Sequence, residues 1–144
     1  MIVADTNLIA YLLIQSEHTA AAEKVRARDG TWLAPPLWRS EFRNVLALYV
    51  KGGRLGLDAV LELAAAAEAM MRGREVEVDA PTVLRLAAAS GCTAYDCEFV
   101  ALAQAAGVPL VTADRKVVAA FPAVAVSPEG FLRAVSRAGA PALP

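Results

Sequence analysis

The sequence predicts an α/β domain in three layers, with helices on both sides of a central parallel sheet. Three observations predict it. Short β-favouring apolar runs alternate with helical stretches along the chain, which implies parallel crossovers. The opening run Ile2, Val3 and Ala4 is apolar at every residue rather than every second one, as a strand covered on both faces requires. A chain of 144 residues, 57% hydrophobic and 20% charged, suits one domain with a substantial core. We read residues 1–138 as that domain and 139–144 as a frayed tail.

The strands are expected at Ile2 to Ala4, Thr31 to Ala34, Glu75 to Val78, Val108 to Thr112 and Val124 to Val126. Thr6 to Ile14 turns into a first helix, and Thr19 to Arg28 forms a second that Asp29-Gly30 ends. Pro35-Pro36 opens a third, because proline is tolerated in a first turn, and Gly52-Gly53 closes it with Glu41 in its second turn. Leu55 to Met71 is a Leu-, Ala- and Met-rich helix whose apolar excess is read first as core and second as a face for another subunit. Pro81 to Ala89 follows Asp79 as a helix, and Thr93 begins the one carrying Asp96, Phe99, Val100 and Ala103. The run GVPLVTAD is a strand ending at Asp114, and Ser127-Pro128-Glu129 opens a terminal helix.

The formal charge is −1, so the composition marks neither an obvious nucleic-acid binder nor an acidic tail. If four of the 15 acids share one site, 14 basic residues face 11 acidic ones elsewhere, a balance that tolerates phosphate. Only Lys24, Lys51 and Lys116 are lysines; the other basic residues are arginines, which suit bidentate phosphate contacts or simply follow an Arg- and Ala-rich composition. Cys92 and Cys97 stand five apart and His18 is the sole histidine, which outlines neither a zinc site nor a disulfide framework. Two thiols in a reducing cytoplasm fit that pattern. The apolar stretches are interrupted by turn residues or acids, so neither a signal peptide nor a membrane span is expected.

The chemistry centres on carboxylates. Asp5 is the only charged residue before Glu17, and it stands where a buried strand ends. Asp114 ends a later strand in the same way, and the carboxyl ends of parallel strands share one rim, where ligands bind at the point of topological reversal. Asp96 shares a helical face with Phe99, Val100 and Ala103, and Glu41 aligns with Val45 and Leu48, with Asn44 on the same side. Each acid has an alternative reading. Asp96 stands three after Thr93, the spacing of a capping box; Asp114 suits a helix cap; Glu41 suits a solvated helix surface. Converging acids without Lys or His repel one another unless cations sit among them, and an all-oxygen set favours Mg²⁺ or Mn²⁺ over zinc.

In the segments IVADTNLIAYLL, SEFRNVLALYVKGGRL and TAYDCEFVALAQAAGVPLVTADRKV, the chain resembles PIN-domain ribonucleases of the VapC toxin type. By motif and order, Asp5, Glu41, Asp96 and Asp114 match that family's four acids, and Thr6, Asn7, Asn44 and Thr112 match their polar companions. The resemblance implies strand order 3-2-1-4-5 and Mg²⁺- or Mn²⁺-dependent endonucleolytic cleavage of RNA leaving 3′-hydroxyl and 5′-phosphate ends. It further implies a homodimer and inhibition by a small VapB-like antitoxin. Asp5, Asp96 and Asp114 would then hold the principal cation, and Glu41 would orient a second cation or the attacking water. Arg39 and Arg43, beside Glu41, and Arg115 are read either as RNA-backbone contacts or as solvated surface arginines. Glu98 is two residues beyond Asp96, an angle that points it away, so it is expected on the surface. The competing reading is a catalytically inactive PIN-like module that binds RNA or protein. A haloacid-dehalogenase-type phosphatase is disfavoured because Asn7 occupies the second acid position of its DxD motif.

Overall fold

β1 (Ile2–Ala4) occupies an inner position of a parallel four-stranded sheet, and all three of its residues are wholly buried. The computed structural model describes residues 1–138; the expected tail at 139–144 lies outside the described residues. β2 (Trp32–Leu33) pairs with β1 on one side, β3 (Leu110–Val111) on the other, and β4 (Ala125–Val126) joins the far side of β3. The order is β2-β1-β3-β4. Each fully buried Ile, Val or Leu contributes about 1.5–3 kcal/mol, and the sheet collects several of them at its centre.

The expected strand at Glu75 to Val78 contracts to one parallel bridge, Ala34 to Glu75. Ala34 and the Arg74 to Val76 backbone exchange hydrogen bonds of 3.2 and 3.1 Å, after which the chain leaves the edge and Val76 is left 40% exposed. Counted with that bridge, the spatial order is the 3-2-1-4-5 expected from the resemblance. The order reverses direction between β1 and β3, so the crevice of this sheet lies at the carboxyl ends of those two strands.

The helices are α1 (Thr6–Leu13), α2 (Thr19–Arg28), α3 (Trp38–Lys51), α4 (Leu57–Met70), α5 (Ala80–Ser90), α6 (Ala94–Ala106), α7 (Arg115–Ala120) and α8 (Pro128–Ala138). α6 packs Phe99, Val100 and Ala103 into the core and meets β1 and β3; α5 packs on α6, α1 on α2 and α3, and α2 on α8. α3 starts later than expected. The carbonyls of Pro35 and Pro36 accept from Trp38 N–H and Arg39 N–H at 3.1 and 3.2 Å, so the prolines form a turn ahead of the helix, and Glu41 falls in its first turn. There the helix dipole favours an acid. At α8, Ser127 Oγ accepts from Gly130 N–H at 3.0 Å, the expected cap.

α4 departs from its expected burial. Val60, Ala67 and the following Met71 make a narrow inward stripe, while Leu57 and Leu61 are 62% and 58% exposed. Its apolar excess therefore lies largely on the outside. Among the described residues no helix is long and apolar enough to cross a membrane, and both cysteines are free and buried.

Candidate active site

Asp5 leaves β1 and caps α1, a position that turns its carboxylate into the crevice. Oδ1 accepts from Thr6 N–H at 2.7 Å; Oδ2 accepts from Asn7 Nδ2 at 3.1 Å and from the hydroxyl of Thr112. Asn7 also accepts from Ala113 N–H at 3.3 Å, which fastens the start of α1 to the turn after β3. Burial pushes the Asp5 carboxyl up from its ordinary value; the Thr112 and Thr6 bonds oppose this, and the charges of Asp96 and Asp114 add to the rise.

Glu41 reaches the same rim from α3. Its Oε1 accepts from Thr6 Oγ1 at 2.8 Å. Burial raises its carboxyl too, the Thr6 bond lowers it, and the charges of Asp5, Asp96 and Glu98 raise it further. Asp96 and Asp114 both take the capping roles that the sequence left open. Thr93 and Asp96 form a reciprocal capping box at the start of α6, with Thr93 Oγ1 to Asp96 Oδ2 at 2.8 Å. Asp114 Oδ1 accepts from Lys116 N–H and Val117 N–H at 2.8 and 3.2 Å.

Capping does not exhaust these acids. Glu41 Oε2, Asp96 Oδ1 and Asp114 Oδ2 make no hydrogen bond, and no buried side-chain oxygen or nitrogen among the described residues lacks a partner. Three oxygens thus face solvent around Asp5. None of the four acids is ion-paired to a Lys, Arg or His among the described residues. Hard oxygen donors carrying uncompensated charge fit a divalent cation of the Mg²⁺ or Mn²⁺ kind. A preassembled cage is not present: no three acidic, His or Cys side chains among the described residues stand close enough to grip one ion. The expected convergence is therefore one of electrostatic coupling along a shared rim.

A family model for the PIN domain matches residues 2–125. The chain belongs to the PIN-domain family. PIN domains are in general nucleases, and they typically use divalent metal ions. Among solved structures, this PIN domain is similar to PAE2754 from Pyrobaculum aerophilum, at 22% identity over 94% of this chain and 89% of that one, with a TM-score of 0.73. It is also similar to FitAcB from Neisseria gonorrhoeae, at 20% identity over 90% of this chain and 99% of that one, with a TM-score of 0.67. At these identities the likeness is one of fold. No curated protein matches the sequence.

Three of the four expected companions touch the acids directly: Thr6 holds Glu41, while Asn7 and Thr112 hold Asp5. Asn44 does not join them; it is exposed and makes no side-chain hydrogen bond among the described residues. Arg39 and Arg43 correct the expectation that they stand beside Glu41. Two residues along a helix is about 200° of rotation, which turns them to the opposite side. There Arg39 pairs with Glu75 and, at 3.3 Å, with Glu68, and Arg43 pairs with Glu68 at 3.4 Å. Arg115 stays exposed next to Asp114. Glu98 also departs from expectation: it is half-buried, its carboxyl is raised by burial and by Glu77, and its charge reaches Glu41. The sequence reading missed Tyr11, whose hydroxyl is raised by burial first and by the Asp5 charge second. Its signal was present, since Tyr11 follows Asn7 by one helical turn.

Proposed function

We propose that this PIN domain is a metal-dependent endoribonuclease, the toxin of a toxin-antitoxin pair, with Asp5, Glu41, Asp96 and Asp114 as its catalytic acids. One observation carries the reading: the charges of Asp96 and Asp114 bear on Asp5, those of Asp5 and Asp96 bear on Glu41, and none of the four acids is ion-paired with a basic side chain among the described residues. Asp5, Asp96 and Asp114 would hold Mg²⁺ or Mn²⁺ by closing in around it, since they form no preassembled cage among the described residues. Such a cation lowers the pKa of water and neutralises charge on a phosphodiester under attack. Thr112, Asn7 and Thr6 N–H keep Asp5 in one orientation, which limits the reorganisation a ligand would demand. Glu41, anchored by Thr6 and raised toward neutrality, is suited to accept the proton of the attacking water. The oxygen leaving as a 3′-hydroxyl takes up a proton, and the water oxygen remains on the 5′-phosphate.

The exposed Leu57 and Leu61 of α4 supply apolar surface for a second copy or for a VapB-like antitoxin. Two free thiols and an RNA substrate suit the cytoplasm. Purified protein should cut single-stranded RNA with Mg²⁺ or Mn²⁺ and stop on addition of EDTA, and Asp5→Asn or Asp96→Asn should abolish cleavage with the fold retained. Cleavage that survives either substitution removes this site.

The absence of a preassembled three-acid cluster among the described residues favours a second reading, a PIN domain that binds RNA without cutting it. Thermal stabilisation by Mn²⁺ together with intact RNA across varied sequences would select it.

A further inference from the structure

An aromatic pair between α1 and the start of α2 has no part in the proposed catalysis, although Tyr11 also packs against the core. Tyr11 of α1 stacks on His18, with ring centroids 4.3 Å apart and planes tilted by 31°. The pair walls off two clefts. One, of about 540 Å³, is lined by Tyr11, His18, Ala113, Arg115, Glu129 and Arg133. The other, of about 380 Å³, is lined by Asn7, Tyr11, His18, Tyr49 and Arg54, among others. The second cleft is lined by Asn7, which is bonded to Asp5, and the first by Arg115, the residue after Asp114; none of the four acids itself lines either cleft.

The two guanidinium groups of the first cleft are uncommitted among the described residues. Arg115 and Arg133 make no hydrogen bond or ion pair among the described residues, and they outnumber Glu129. His18 is half-exposed and, among the described residues, its one ionic neighbour is Glu17, itself exposed, at 3.4 Å. Tyr11 is half-buried, which holds its ring in place at little further entropic cost. An aromatic face beside two free guanidinium groups is complementary to one unpaired nucleotide, because every base has a π-face and every nucleotide a phosphate.

We propose that the Tyr11–His18 pair stacks an unpaired nucleobase of the RNA while Arg115 and Arg133 hold the adjoining phosphate. The proposal rests on the nuclease reading and names how that site takes its substrate. Selection is for single-stranded RNA and tolerant of base identity, since stacking on a ring reads no base edge.

The test is fluorescence anisotropy of a labelled oligouridylate in EDTA, where cleavage is halted, with the full chain as wild type, Tyr11→Leu, Tyr11→Phe, Arg115→Gln and Arg133→Gln. Tyr11→Leu should weaken binding about tenfold and Tyr11→Phe hardly at all. On a matched oligonucleotide with an abasic position, the Tyr11→Leu effect should disappear. Each arginine change should weaken binding to both oligonucleotides and reduce the salt slope by roughly one ion. Arg115 is exposed, so its replacement tests the groove without disturbing the core. Wild-type affinity in Tyr11→Leu and Arg115→Gln at unchanged melting temperature overturns the proposal and leaves the nuclease reading intact, and so would a groove that serves a peptide. RNA binding that depends on the groove in a protein that cuts no RNA with either metal overturns the nuclease reading alone. No RNA binding by wild type overturns the groove.

Discussion

The hydroxyl of Thr112 donates to Asp5 Oδ2 from 107 residues away, and its oxygen accepts from Asp114 N–H at 3.0 Å. One wholly buried threonine thereby sets the distance between the first acid and the last. Valine or alanine at this place has no group that could make either bond, because both are made by the hydroxyl.

Thr112→Val removes those bonds at nearly constant shape. We expect a stability loss of about 1–3 kcal/mol, from the acceptor and donor left short, and about 10–100-fold weaker Mn²⁺ binding. Urea unfolding and calorimetric titration measure the two separately. Unaltered Mn²⁺ affinity would show that Thr112 does not position Asp5.

Asp5 and Glu41 give the metal-free protein a defined pH dependence. Both carboxyls are raised in the folded state, so folding takes up protons. Their stabilising contribution is complete below the ordinary carboxylate value of about 4 and is lost as pH rises through each raised folded value. In EDTA the melting temperature should therefore fall across that window. Asp5→Asn should flatten the fall and hold a higher melting temperature at neutral pH. A profile as steep in Asp5→Asn as in wild type would refute the assignment.

The same acids make cation binding sensitive to acid. Protons compete for the oxygens a divalent ion needs, so Mn²⁺ affinity should drop as pH falls from neutral toward the raised carboxyl values. Calorimetry over that range checks it, and a flat affinity contradicts the coupling.

Arg39 ties α3 to Glu75 and Glu68, away from Glu41. Arg39→Gln should lower the melting temperature, because it releases the bridge segment at Glu75, and it should leave RNA cleavage unchanged. A selective loss of cleavage without loss of stability would restore Arg39 as an RNA contact.

Gly91 joins α5 to the Thr93 cap with φ of 71°, and a Cβ there would meet nothing within 4 Å. The cost of Gly91→Ala is accordingly one of backbone conformation, about 1–2 kcal/mol, with Gly91→Asn milder. Urea midpoints for the two variants test the order.

Much of this molecule is legible along the chain. The uninterrupted apolar run at Ile2 to Ala4 dictates a doubly covered strand; alternating elements dictate parallel crossovers; Thr93 with Asp96, Asp79 and Asp114 specify helix starts through local hydrogen bonds. These are short-range effects, set by residues within a few positions of one another. The order of the four acids is legible as a motif, with Thr6 and Asn7 next to Asp5 and Thr112 two before Asp114, whereas the bonds from Thr6 to Glu41 and from Thr112 to Asp5 span 35 and 107 residues. Tertiary structure alone decided which groups meet. Arg39 and Arg43 found their partners in Glu68 and Glu75, Glu98 came within electrostatic reach of Glu41, and the strand at Glu75 shrank to a bridge, none of which local spacing fixes. Local sequence determines conformation over a few residues, whereas contact between distant side chains follows from packing, in which each element's rotation and depth is set by all the others.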